Sequence, residues 1–236
     1  MDDHTLYERL SSFITPARRA LFDRIAPERT AHITVVLEDV FQSHNASAVL
    51  RTCDLLGVQH VHAISTRNRF ATNPEIALGS EKWITLHHHA GPDAVPSAVE
   101  ALRAKGYRLI ATLPSADAHA PEDLPLDVPL AFCFGTELEG LSDDLATRCD
   151  AAMRIPMYGF TESYNISVAA GIALYTVMRR LRSSSVAHRL DEEEVLQLKL
   201  RWLRTSVHDA ASIERRIIED DVRANVRGER GPSELR

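Results

Sequence analysis

Between residues 32 and 182 the chain alternates short β-branched or apolar runs with longer amphipathic stretches, and that alternation leaves few folds open. The runs are HITVVLEDV (32–40), QHVHAI (59–64), WITLHH (83–88), YRLIAT (107–112), PLAFCF (129–134) and AAMRIP (151–156). Helical patterns at 46–57, 93–105 and 166–182 separate some of them, with Gly57 and Gly106 as stop signals. A further helix starts at Ser142, with Asp143 and Asp144 well placed in its first turn. Strands joined by helical crossovers run parallel, so the pattern specifies an α/β domain with a parallel sheet flanked by helices. Ligands of such sheets sit outside the carboxyl ends of the strands.

Three such ends carry unusual polar groups. HNASAVLRT follows the first strand with Asn45 and Arg51; AFCFGTELEGLS holds Gly135, Glu137 and Gly140; IPMYGFTESYNISVAAGIALY holds Thr161, Glu162, Ser163 and Asn165. Each has a local reading. Asn45 and Asn165 stand where N-caps belong, Glu137 suits a helix start, and Arg51 suits a solvent-facing helix position. Together they suggest a composite site at one edge of the sheet.

Other chemistries find little support. No G-x-G-x-x-G follows a strand, and GTELEGLS has Leu141 where a phosphate loop needs lysine. His87, His88 and His89 are neighbours on a strand and point to alternate faces, which makes them poor joint ligands, so no metal is expected. Three cysteines without CxxC spacing read as reduced thiols of a cytoplasmic protein. The apolar runs are too short for a membrane span, and MDDHTLYERL lacks the pattern of a secretory signal.

The flanks read as helical. Residues 3–28 suggest two short helices, the second opening at Pro16. A polar linker leads from 183 to DEEEVLQLKLRWLRTSV, where Asp191 and Glu194 form a cap pair. Leu196, Leu200, Leu203 and Val207 make an apolar stripe bordered by Trp202, a docking face. Residues from about Val226 read as frayed. The net charge of −6 argues against a uniform coat of nucleic-acid affinity. Most of the acidic excess lies in 30–178, whereas arginines alternate with acids in the tail, a pattern that suits a salt-bridged helix face as well as an RNA surface.

The three motifs, in this order and spacing, resemble the SpoU class of the SPOUT RNA 2′-O-ribose methyltransferases, the TrmH tRNA branch most closely; GSEKW (79–83) resembles a further family segment. The resemblance covers residues 30–180. It implies a parallel sheet with a C-terminal trefoil knot, divided as 1–29 (N-terminal helical extension), 30–182 (methyltransferase domain) and 183–236 (C-terminal helical extension). It implies S-adenosylmethionine as cofactor, held by Thr112, Leu113, Gly135, Ile155, Met157, Tyr164, Asn165 and Ala169. It implies a homodimer in which Arg51 completes the partner's site. Arg51, Asn45, Glu137, Ser163 and Asn165 would be the catalytic set, and Arg18, Arg19, Arg51, Arg201 and Arg204 the RNA contacts. Guanidinium groups hold their proton, so whether Arg51 acts as a base, through a substrate phosphate, or by stabilising the developing alkoxide stays open. The implied reaction is tRNA 2′-O-methylation at a D-loop guanosine; an rRNA methyltransferase or a non-catalytic RNA-binding dimer are the alternatives. The chain departs from the family at Ser43, where relatives usually carry lysine, and at Glu162 and Tyr164 of ESYNIS, usually QSLNVS. Those changes bear on the RNA target.

Overall fold

The computed structural model describes residues 1–114 and 118–229, the side chains of 224–229 excepted. Its six strands are β1 (Thr30–Glu38), β2 (Val58–Ser65), β3 (Thr85–Ala90), β4 (Arg108–Thr112), β5 (Leu130–Phe134) and β6 (Ala151–Met153). They form one parallel sheet in the order β3-β2-β1-β5-β4-β6. The strand order reverses direction between the β1–β2–β3 half and the β5–β4–β6 half, and the carboxyl ends at such a reversal form a natural crevice.

Alternation along each strand divides the core between the two faces. Ile33, Val35, Leu37, Leu130, Phe132 and Phe134 face one side. There they meet α3 (Ser43–Leu56) and α7 (Ile166–Arg182). Helix α7 contributes Ile166, Ala170, Ala173, Leu174, Val177, Met178 and Leu181, the spacing of a single helical face. Val36, Ala131 and Cys133 face the other side, where α5 (Ala94–Arg103) and α6 (Asp143–Ala146) bring Val95, Ala98, Val99, Leu102 and Leu145. Gly57 ends α3 in the left-handed conformation at φ 83°, as its sequence position implies. The irregular segment between β2 and β3 holds α4 (Pro74–Ala77) and a 3₁₀ turn at Ser80–Lys82. The three cysteines are free.

The chain divides into two units, Arg29–Arg189 and a helical unit made of Met1–Glu28 with the residues from Leu190 on. The helical unit contains α1 (Asp3–Ser11), α2 (Pro16–Ile25), α8 (Glu192–Ser206) and α9 (Ala210–Glu229). Asp191 and Glu194 form a capping box, and Leu196, Leu200, Leu203 and Trp202 are buried, with Trp202 against Phe22. Helix α9 had no counterpart in the sequence reading. It runs through Val226 to Glu229, so fraying does not begin where expected; 230–236 lie outside the described residues. Among the described residues no helix is long and apolar enough to cross a membrane.

At the β2–β3 edge the histidines pair across strands. His60 Nδ1 lies 3.0 Å from His87 Nε2, and His62 Nδ1 lies 3.0 Å from His89 Nε2, with stacked rings between them. His88 turns to the opposite side, edge-on to Phe70. Each pair needs one donor and one acceptor, so at least one ring of each is neutral. Burial, reinforced by His87, His89, His60 and Lys105, drives the His62 pKa down to about 3. An unfolded histidine titrates near ~6.5, so as pH falls below that value the unfolded chain binds a proton that the folded chain refuses. Stability should therefore drop between about pH 6.5 and pH 3, by at most ~1.4 kcal/mol per pH unit from this group. Urea unfolding of wild type and His62→Gln between pH 7 and 4.5 checks this. The variant should show a shallower pH dependence, and an unchanged slope would contradict the assignment.

Candidate active site

Beyond the carboxyl ends of β4, β5 and β6 lies a cavity of about 390 Å³, within the range of small-ligand sites. Three segments enclose it. The first is Thr112–Pro114 after β4, where Thr112 donates to the Cys133 carbonyl (2.7 Å) and the Leu113 N–H to the Met153 carbonyl (3.0 Å).

The second segment is the turn Gly135–Leu141 after β5. Thr136 and Gly140 exchange backbone hydrogen bonds of 2.9 and 3.0 Å, folding the turn back on itself. That closeness forbids a side chain at Gly135, whose Cβ would stand 2.0 Å from the Gly140 carbonyl oxygen. Gly140 itself sits at φ 71°, which glycine tolerates best. The buried Glu38 carboxylate anchors the turn's exit by accepting from Ser142 N (2.8 Å) and Ser142 Oγ (2.6 Å). Ser142 Oγ in turn caps α6 through the Leu145 N–H.

The third segment runs from Met153 through Arg154, Ile155 and Met157 to Glu162, Ser163 and Tyr164, and ends on Ile166 and Ala169 of α7. Asn165 is the N-cap of α7, accepting from Ser167 N at 2.9 Å.

Asn45 joins these segments to β1. It was expected to cap α3, but the helix begins at Ser43 with Gln42 as N-cap, and Asn45 lies inside the first turn. The Gln42 carbonyl accepts from both the Asn45 and Ala46 N–H groups, which draws the helix start back by a few residues. The Asn45 amide, 2 % exposed, is thereby free for distant partners. Its nitrogen donates to a Glu137 carboxylate oxygen and to Gln42 Oε1 (3.1 Å), and its oxygen accepts from Asn165 Nδ2 (3.1 Å). One side chain thus links all three polar junctions.

Of the residues singled out in the sequence, Thr112, Leu113, Gly135, Glu137, Ile155, Met157, Ser163, Tyr164 and Ala169 line the cavity. Asn45 and Asn165 are outside the lining, Asn45 bonded to Glu137 and Asn165 to Asn45. Arg51 is exposed on α3 and is not part of the lining. Arg19 is paired with Glu8 (2.5 Å) and Arg204 with Glu214 (2.7 and 2.8 Å), while Arg201 is half-buried, its pKa lowered by burial. Lining residues that the sequence reading passed over include Phe134, Met153, Arg154 and Ile166, whose apolar runs signalled only strand or helix. Asp39 was also passed over. Burial pushes its carboxyl up, but hydrogen bonds from Thr66 Oγ1 and the Thr66, Arg67 and Asn68 N–H groups outweigh that and hold it below the usual range. Arg67 then bridges from Asp39 (3.6 Å) to Glu139 of the glycine turn (2.7 Å).

The apolar wall suits the flat and aliphatic parts of an adenosyl group. Glu137 and Glu139 suit a cationic ligand such as a sulfonium that also carries an ammonium. Among the described residues no group of three or more His, Cys, Asp or Glu side chains could hold a metal ion.

Residues 32–175 match the model of the SpoU rRNA Methylase family. The tRNA (guanosine(18)-2′-O)-methyltransferase of Borreliella burgdorferi is 41 % identical over 216 residues, covering 91 % of this chain and 98 % of that one. The crystal structure of an A. aeolicus TrmH/SpoU tRNA modifying enzyme superposes with a TM-score of 0.72 at 27 % identity, over 82 % of this chain and 98 % of that one. The SpoU methyltransferase AviRb from Streptomyces viridochromogenes, solved in complex with AdoMet, gives a TM-score of 0.56 at 27 % identity, over 69 % and 62 %.

Removing the Asn45 amide leaves Glu137 and Asn165 without their shared partner. Asn45→Ala should cost ~1–3 kcal/mol in chemical denaturation. A double-mutant cycle with Asn165→Ala should show a coupling of ~0.5–3 kcal/mol. Strict additivity would mean that the link holds nothing.

Proposed function

The chain belongs to the SpoU methylase family, and on that membership we propose that it methylates a ribose 2′-hydroxyl of tRNA, the target being a D-loop guanosine. The observation that carries this reading is the convergence of the three motif segments on one cavity through Asn45. The tRNA assignment draws on the Borreliella burgdorferi relative, matched over nearly its full length. S-adenosylmethionine, when bound, supplies an electrophilic methyl group.

The chain's own residues have three tasks. Thr112, Leu113, Gly135, Ile155, Met157, Tyr164 and Ala169 hold the cofactor, mainly through main-chain groups that the glycine turn exposes. Asn45, Glu137 and Asn165 fix the three segments relative to one another, and Ser163 orders the loop between them. Such alignment of two reactants supplies up to ~7–11 kcal/mol by effective molarity. The Arg51 guanidinium stabilises the alkoxide that develops on the 2′-oxygen as the hydroxyl proton passes to solvent.

Arg51 reaches the reaction centre from a second subunit in this reading. What supports a dimer is the exposed row of Val168, Ile172 and Tyr175 on α7, together with Leu55 on α3. Leu55 lies one turn from Arg51, so a partner packed on that face meets both. We also propose that the β5–β6–α7 segment is threaded as a trefoil knot; β6 pairs with β4 rather than β5, so the chain crosses β4 to reach its place. The helical unit, Met1–Glu28 with the residues from Leu190 on, is proposed to help hold tRNA in the cytoplasm. RNA phosphates there must compete with Glu8 for Arg19 and with Glu214 for Arg204.

Incubation with labelled S-adenosylmethionine and unmodified tRNA, followed by mapping of ribose methylation, tests the activity. Methyl transfer to rRNA fragments alone would favour an rRNA enzyme, and no transfer despite cofactor binding would leave a non-catalytic RNA-binding dimer. Arg51→Ala should lower kcat at least ~100-fold while S-adenosylmethionine affinity stays nearly unchanged. A large loss of cofactor binding would contradict the assigned role.

A further inference from the structure

The loop between Met153 and α7 carries features that cofactor binding does not use. Tyr158 is 98 % exposed and Phe160 fully exposed, in a segment without regular structure between the lining residues Met157 and Glu162. Two aromatic rings held in water two residues apart point to an occupant with a flat π face. Two residues beyond Phe160 in the chain is Glu162, an exposed lining carboxylate with no hydrogen-bond or ion-pair partner among the described residues. Arg154, also exposed in the lining, has no ion-pair partner there either and suits a phosphate. Rings, an acceptor pair and a cation together match one splayed-out nucleotide.

The acceptor pair says which one. An ionised carboxylate accepts hydrogen bonds and donates none, so it needs two adjacent donors to be satisfied bidentately. Of the four RNA bases, only guanine presents two adjacent donors on its Watson–Crick edge, the N1–H and the exocyclic amino group; adenine and cytosine present one amino group beside an acceptor. We infer that Glu162 reads the Watson–Crick edge of an unstacked target guanine while Phe160 and Tyr158 stack on its face. This rests on the tRNA methyltransferase reading above and adds to it the residue that selects the base.

The test uses whole tRNA transcripts carrying guanosine or inosine at the methylated position. Inosine keeps N1–H and lacks the amino group. Wild type should prefer guanosine by about 10- to 100-fold in kcat/KM. In Glu162→Gln that preference should shrink to within about threefold, because an amide offers one acceptor and meets either base equally. S-adenosylmethionine affinity, measured by calorimetry, should stay unchanged. Phe160→Ala should lower kcat/KM about 5- to 100-fold on both transcripts alike. An unchanged guanosine-to-inosine ratio in Glu162→Gln overturns the base-reading role while leaving the methyltransferase reading intact. If Phe160→Ala instead shifts the oligomeric mass and leaves kcat/KM alone, the rings belong to a subunit contact and the stacking role falls. Wild type inactive on every transcript would sink the methyltransferase reading, and this inference with it.

Discussion

One buried amide holds the site together. Asn45 donates to Glu137 and accepts from Asn165, so a residue at the start of α3 fixes both the glycine turn after β5 and the first residue of α7. Its burial gives these bonds their weight, because a polar group left unpaired in such a place costs ~1–3 kcal/mol. Each partner also has a second task. Glu137 lines the cavity, and Asn165 starts the helix whose apolar face fills the core under the sheet. Disturbing the amide therefore reaches the cavity wall and the helix register at once.

The cavity depends equally on backbone that comes very close to itself. The exchange of hydrogen bonds between Thr136 and Gly140 leaves no room for a Cβ at Gly135. Glu38 and Asp39 at the end of β1 brace this turn from the side, Glu38 through Ser142 and Asp39 through Arg67 to Glu139. The parallel sheet supplies the common origin, since β1, β4, β5 and β6 all end on the same edge. Function is thus built from loops, while the strands set their spacing.

Much of this was legible in the chain. Apolar runs marked the strands, Gly57 marked the end of α3, and Asn165 marked the start of α7 with the cap it indeed makes. The polar junctions named most of the cavity lining. Asn45 shows where such reading stops: the junction pattern placed it in the composite site, but the only partner a local rule offered was its own helix, whereas two of its partners lie 92 and 120 residues away. No periodicity encodes a contact at that separation. The pairing of His60 and His62 with His87 and His89 escaped for the same reason, because register between strands is set by tertiary packing. The exposure of Tyr158 and Phe160 also runs against expectation, since aromatic residues ordinarily signal a core.

Three segments distant in sequence, pinned by Asn45, make a single cavity at the sheet edge, proposed to hold the cofactor. A crystal structure of the protein with S-adenosylmethionine tests it most directly. The cofactor should lie against Thr112–Pro114, Gly135–Leu141 and the segment from Met153 to Ala169, with Asn45 still bonded to Glu137 and Asn165. Cofactor bound outside this cavity, or bound within it with the Asn45 amide released from both partners, would contradict the account.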